Sequence, residues 1–144
     1  MWEKNDIREI LISENEIQER AKQLGEQITK DYSSKKPLLV GLLRGSVPFL
    51  ADLMKNIDLD IQFDTMDVSS YEGTESVGEI RILKDLDTPI KGLDIILVED
   101  IVDTGRTLQT VKNTLLHRGA ASVTICTLLN KSARRTVDIQ ADYI

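Results

Sequence analysis

Ile17, Ala21, Leu24 and Ile28 recur at three- and four-residue intervals, which predicts an amphipathic helix. Ser13 followed by Glu16 is the S-x-x-E capping box that opens it, and Asp31-Tyr32-Ser33-Ser34 closes it. The period then changes. Leu38 to Leu43 is a short, continuously apolar run, the pattern of a strand buried on both faces. Arg44-Gly45-Ser46 breaks it, and a second helix follows with Pro48 in its first turn and Leu50, Leu53, Met54 and Ile57 inward. Leu59, Ile61, Phe63 and Thr65 alternate as a second strand, and the polar stretch Tyr71 to Gly78 is a loop. Ile80 and Ile82 make another strand, with turns at Thr88-Pro89 and Lys91-Gly92. Asp94 to Val98 is a further buried strand, ending in Glu99-Asp100. Thr104 to Arg118 reads as a helix with Leu108, Val111 and Leu115 on one face and Gly119 as its stop. Val123 to Leu129 is the next strand, and Ala141 to Ile144 a last apolar piece. Strands alternating with helices predict an α/β fold, a mostly parallel central sheet flanked by helices. In such sheets ligands bind beyond the carboxyl ends of the strands.

Composition narrows the class. The 144 residues suit a single domain spanning 1–144, and 41% hydrophobic with 29% charged residues is ordinary globular usage. Only 4% is aromatic, so the core is aliphatic. The net charge of −6 argues against nucleic acid and acidic membranes as partners, while leaving room for a local basic pocket that takes a small anion. One cysteine, Cys126, forms no internal disulfide, which fits a reducing, cytoplasmic setting. No apolar run reaches the roughly 18 residues of a membrane span, and no signal-peptide core follows Met1 to Asp6.

The chemistry concentrates in Val98-Glu99-Asp100-Ile101-Val102-Asp103-Thr104-Gly105-Arg106-Thr107-Leu108. Three carboxylates crowd the end of a buried strand, where like charges repel. Mg²⁺, or the two hydroxyls of a ribose, would relieve them. Thr104-Gly105-Arg106-Thr107 then opens a helix, whose backbone N–H groups, threonine hydroxyls and dipole form a monophosphate cradle. Any one of these residues alone could be a solvated cap. A carboxylate pair beside a phosphate cradle describes a ribose 5-phosphate site.

This string resembles the phosphoribosyl pyrophosphate motif of the phosphoribosyltransferase family: apolar residues, two acids, two apolar residues, then Asp-Thr-Gly-x-Thr. Three other segments are similar to the bacterial hypoxanthine and hypoxanthine-guanine branch of that family. Leu42-Leu43-Arg44-Gly45-Ser46 resembles its pyrophosphate loop, where the resemblance implies a non-proline cis peptide at Leu43–Arg44. Asp67-Val68-Ser69-Ser70-Tyr71 resembles the start of its mobile lid. Leu128-Leu129-Asn130-Lys131 resembles its Leu-Leu-Asp-Lys segment, with Asn130 in place of the acid. His117 and Cys126 carry no such signal.

The resemblance implies the type I phosphoribosyltransferase fold and Mg²⁺-dependent purine salvage. The expected substrates are phosphoribosyl pyrophosphate and a 6-oxopurine, hypoxanthine or guanine, giving IMP or GMP and pyrophosphate. It assigns Asp103 as general base on purine N7, and Glu99 and Asp100 to the ribose hydroxyls and Mg²⁺. Arg44 and Gly45 would hold pyrophosphate, Thr104, Gly105, Arg106 and Thr107 the 5′-phosphate, Ser70 and Tyr71 the lid, and Lys131 the 6-oxo group. A homodimer or homotetramer is expected. Family members continue past Tyr143-Ile144 into a segment that stacks on the purine, binds a second Mg²⁺ and contacts pyrophosphate. This chain is therefore expected to have an incomplete hood and to turn over poorly. Two other functions compete: a transferase of the same fold using xanthine or a pyrimidine, and a non-catalytic regulator that senses phosphoribosyl pyrophosphate and binds nucleic acid.

Overall fold

The structure, a computed structural model, describes residues 13–70, 80–102, 105–130 and 141–144. Helix α1 (Glu14–Asp31) begins at the capping box: the Glu16 N–H donates to Ser13 Oγ at 3.1 Å, and the Ser13 N–H donates to the Glu16 carboxylate at 3.4 Å. Strand β1 (Leu38–Leu42) is buried at every position. Helix α2 (Val47–Met54), strands β2 (Gln62–Ser70), β3 (Ile80–Lys84) and β4 (Asp94–Val102), helix α3 (Arg106–His117) and strand β5 (Ser122–Asn130) follow.

The sheet order is β3-β2-β1-β4-β5. β2, β1, β4 and β5 run parallel, and only β3 is antiparallel, paired to β2 at the edge. The expected mostly parallel α/β sheet is thus what the chain builds. β1 and the Ile95–Val98 stretch of β4 are apolar throughout because both faces are covered. Leu108, Val111 and Leu115 of α3 pack on Val40, Leu97 and Ile125. Ala21, Leu24 and Ile28 of α1, with Phe49, Leu50 and Leu53 of α2, pack on Leu39, Ile96 and Val98. Each such side chain, fully buried, is worth about 1.5–3 kcal/mol. Among the described residues no helix is long and apolar enough to cross a membrane.

Several details differ from the sequence pattern, beginning with the second strand, which runs Gln62–Ser70 and leaves Leu59 and Ile61 before it. β4 does not stop at Val98 but runs through Glu99 and Asp100 to Val102, because β5 keeps pairing with it as far as Asn130. Helix α3 starts at Arg106, after Gly105, and Arg118 is its cap rather than its last turn. In β2, Phe63 is 59% exposed while Asp64 and Met66 are buried. Phe63 pairs with Leu39 and so lies on the α1/α2 face, but the apolar cover there stops at Leu59 and Ile61. The C-terminal piece behaves as a strand fragment. Tyr143 bridges Cys126 of β5, and its hydroxyl donates to Asp31 at 2.7 Å.

Asp64 is inside because it has donors. Its carboxylate accepts the N–H groups of Thr65, Asp87 and Thr88 at 2.7, 2.9 and 3.0 Å, with Lys84 Nζ at 3.4 Å. Burial alone would raise its pKa, but the hydrogen bonds from Thr65, Thr88 and Asp87 outweigh it and bring the value to about 2. A carboxyl depressed on folding stabilises above its unfolded pKa and stops doing so as pH falls through the folded value. Between pH 4 and 2 the protein should therefore lose about 2 kcal/mol of stability that an Asp64→Asn variant does not lose. Urea midpoints across that range check this.

Candidate active site at the carboxyl ends of the parallel strands

Because β1, β2, β4 and β5 share a direction, Leu42, Ser70, Val102 and Asn130 end on one edge of the sheet. The described residues among those singled out from the sequence lie on or just after these ends. Arg44 and Gly45 follow β1, and Ser70 closes β2 with Tyr71 next. Glu99 and Asp100 occupy the last stretch of β4, Gly105 stands just before α3, and Arg106 and Thr107 open that helix. Tyr71, Asp103, Thr104, Lys131 and the Ser70 side chain lie outside the described residues.

The turn after β1 contains a cis peptide at Leu43–Arg44, where the resemblance put it. The Leu43 N–H donates to the Met66 carbonyl of β2 at 2.8 Å, tying the turn to the neighbouring strand. Arg44 is exposed, and among the described residues no carboxylate pairs with it. Gly45 lies against Asp100, one of the two acids of β4. A Cβ built there would stand 2.9 Å from Asp100 Oδ2 and 3.3 Å from Asp100 Cγ. A side chain at this position would require the Asp100 carboxylate to shift.

The acid pair is electrostatically unsettled. Burial raises the Glu99 pKa to about 8, helped by a hydrogen bond to the Asp100 carboxyl and by that group's charge. The one described donor to Glu99 is the Asp100 N–H, at 3.1 Å. Two neighbouring carboxyls at a strand end, one held neutral, are suited to exchange a proton for a cation or for ligand hydroxyls. Beyond them, Gly105 precedes α3 at φ 84°, a conformation that glycine adopts readily, and no side chain caps the helix there. The N-terminal end of a helix carries the positive end of its dipole, which favours an anion.

One residue of this neighbourhood escaped the sequence reading. Ser46 is completely buried, and its hydroxyl donates to the Leu42 carbonyl. The available signal was a lone polar residue opening the apolar helix Val47-Pro48-Phe49-Leu50, at the capping position.

The pattern of the phosphoribosyl transferase domain matches residues 6–144. The hypoxanthine-guanine phosphoribosyltransferase of Streptococcus pyogenes serotype M3 is 55% identical over 140 residues, covering 96% of this chain and 78% of the relative. That of Lactococcus lactis is 54% identical over 147 residues, covering 99% and 80%. The crystal structure of a hypoxanthine phosphoribosyltransferase from Staphylococcus aureus superposes with a TM-score of 0.90 at 48% identity, covering 96% of this chain and 76% of that one.

The Glu99 proton has a measurable consequence. Its pKa rises from the ordinary 4.5 to about 8 on folding, so between those values the folded state binds the extra proton. Stability should then fall as pH rises from 5 to 8. Glu99→Gln should flatten that slope and stabilise the ligand-free protein at pH 8 by on the order of 2 kcal/mol, read as the urea midpoint. An unchanged slope in the variant would place the proton elsewhere.

Proposed function

Because the chain belongs to the phosphoribosyl transferase family, we propose that it is a cytoplasmic purine-salvage enzyme. It transfers 5-phosphoribose from phosphoribosyl pyrophosphate to hypoxanthine or guanine, forming IMP or GMP and releasing pyrophosphate. The observation that carries this reading is the contact between Gly45 and Asp100. It joins the anion-binding turn of one strand to the hydroxyl-binding acids of the next, as a phosphorylated ribose with an anionic leaving group requires. The names of the relatives support the choice of base.

In this mechanism the C1′–O bond to pyrophosphate breaks while C1′–N9 forms. The Arg44 guanidinium and the backbone at Gly45 hold the departing pyrophosphate. Thr104, Gly105, Arg106 and Thr107 hold the 5′-phosphate at the start of α3. Glu99 and Asp100 bind the ribose hydroxyls, directly or through Mg²⁺. Their fit to Mg²⁺ rests on the donor set: among the described residues no third acid or histidine joins the pair. That arrangement leaves most of the cation's positions for substrate oxygens and water. When bound, Mg²⁺ would neutralise charge on the leaving group. Asp103 accepts the N7 proton as general base. Ser70 and Tyr71 close over the centre and exclude the water that would capture a cationic sugar. Lys131 donates to the 6-oxo group; a 6-amino purine offers no acceptor and leaves the ammonium unpaired.

Self-association as a homodimer or homotetramer belongs to the same proposal. It is supported by Phe63 and Leu83, each 59% exposed. Neither nucleic acid nor membrane is a partner in this reading, in keeping with the net charge of −6.

Two substitutions test the chemistry. Asp103→Asn should lower kcat by about 10²–10⁴-fold while phosphoribosyl pyrophosphate still binds, seen by calorimetry beside a pyrophosphate-release assay. A variant with wild-type kcat would make Asp103 only a helix-end residue. Lys131→Ala should erode the preference for hypoxanthine over adenine in kcat/KM. An unchanged ratio would return Lys131 to solvent.

A further inference from the structure

We propose that Ser46 is a positioning residue: its hydroxyl closes the turn that carries Arg44 and Gly45, and so sets how that turn receives the anionic leaving group. This rests on the assignment of the turn to pyrophosphate made above.

The need for Ser46 starts in the sheet. The Leu43 N–H points to β2, where it donates to Met66 at 2.8 Å. In a planar trans peptide the carbonyl points the other way, so the Leu42 carbonyl faces β4. β1 pairs with β4 only as far as Gly41 opposite Val98, so no strand partner remains for that carbonyl. Leu42 is 5% exposed, which also keeps water from serving it. The Ser46 hydroxyl takes the place of the missing strand partner.

Ser46 can do this because it is released from capping. A serine before a helix ordinarily accepts an N–H from the first turn. Here Pro48 removes one such donor, Ser46 itself has helical dihedrals at φ −76° and ψ −14°, and no side-chain cap bond forms. The hydroxyl turns back across the loop instead. Other bonds seat the exit of the loop: Val47 N–H donates to the Arg44 carbonyl at 3.1 Å and Leu50 N–H to the Ser46 carbonyl at 2.8 Å. Gly41 makes the approach possible, since a Cβ there would stand 3.1 Å from Ser46 Oγ and 2.7 Å from Leu50 Cδ2. Arg44 and Gly45 are left as the tip, with Gly45 against Asp100.

The test compares Ser46→Ala, Ser46→Thr and Thr29→Val in the whole chain. Thr29 is a control on α1, where its hydroxyl donates to Gly25 and accepts from the Asp58 N–H, away from the strand ends. Three quantities are read: affinity for inorganic pyrophosphate, KM for hypoxanthine, and amide exchange at residues 43–47. Ser46→Ala should weaken pyrophosphate roughly three- to tenfold, the worth of one buried hydrogen bond, with hypoxanthine KM unchanged and faster exchange at Leu43 and Val47. Ser46→Thr, which keeps the hydroxyl, and Thr29→Val should bind pyrophosphate as wild type does. Equal losses for both ligands, unchanged pyrophosphate affinity in Ser46→Ala, unchanged exchange at 43–47, or no recovery with Thr would each overturn the role of Ser46. Absence of pyrophosphate binding by the wild type would instead overturn the assignment of the turn.

Discussion

Parallel strands share a direction, so burying β1 and β4 on both faces drives their polar ends together at one edge of the sheet. That constraint organises the molecule. The interior is mostly aliphatic because helices cover the central strands. The groups that cannot enter it, the Glu99-Asp100 pair and the turn at Arg44-Gly45, are left as neighbours. β1 sits between β2 and β4, which leave it to opposite sides, so the crevice at the switch in strand order opens beside both.

Proximity at that edge depends on what is absent as much as on what is present. Gly41 leaves space for Ser46 and Leu50, and Gly45 leaves space for Asp100. Between them the turn after β1 folds back onto its own strand while its tip reaches β4. A side chain at Gly45 would displace the Asp100 carboxylate from the tip of the turn. Placing charge at the end of a buried strand weakens the ligand-free fold, a cost recovered when a ligand brings opposite charge or hydroxyl donors.

Much of this was legible in the amino acids. The capping box Ser13/Glu16, the inward face Leu108, Val111 and Leu115, and the two-sided burial of β1 follow from local periodicity, and the structure repeats them. The acids of β4 were legible as a string, because their charge has no place in a bland strand. What escaped depends on partners distant in sequence. Asp64 reads as a solvent-facing residue of an alternating strand, and its burial makes sense only with the N–H groups of Asp87 and Thr88 beside it. Phe63 reads as core, yet the apolar cover on its face ends before reaching it. Ser46 reads only as part of the break after β1, and its bond to Leu42 follows from where β1 stops pairing with β4, a matter of register.

Asp64 and Glu99 show how the fold and a ligand divide the same task. Both are carboxyls on the strands that flank β1 in one sheet, and burial pushes the pKa of each upward. Asp64 has three backbone N–H groups and the Lys84 ammonium around it, and it ends well below the usual range. Glu99 has only the Asp100 N–H among the described donors, and it is pushed up to about 8. Its partner across the ladder is Thr127, whose buried hydroxyl could have donated but gives its proton to the Leu129 carbonyl at 2.8 Å. The two acids therefore differ both in donors and in desolvation, and for Glu99 burial is the larger cause of the rise. What the fold supplies to Asp64, it withholds from Glu99, at the one edge where a substrate hydroxyl or a cation can supply it instead.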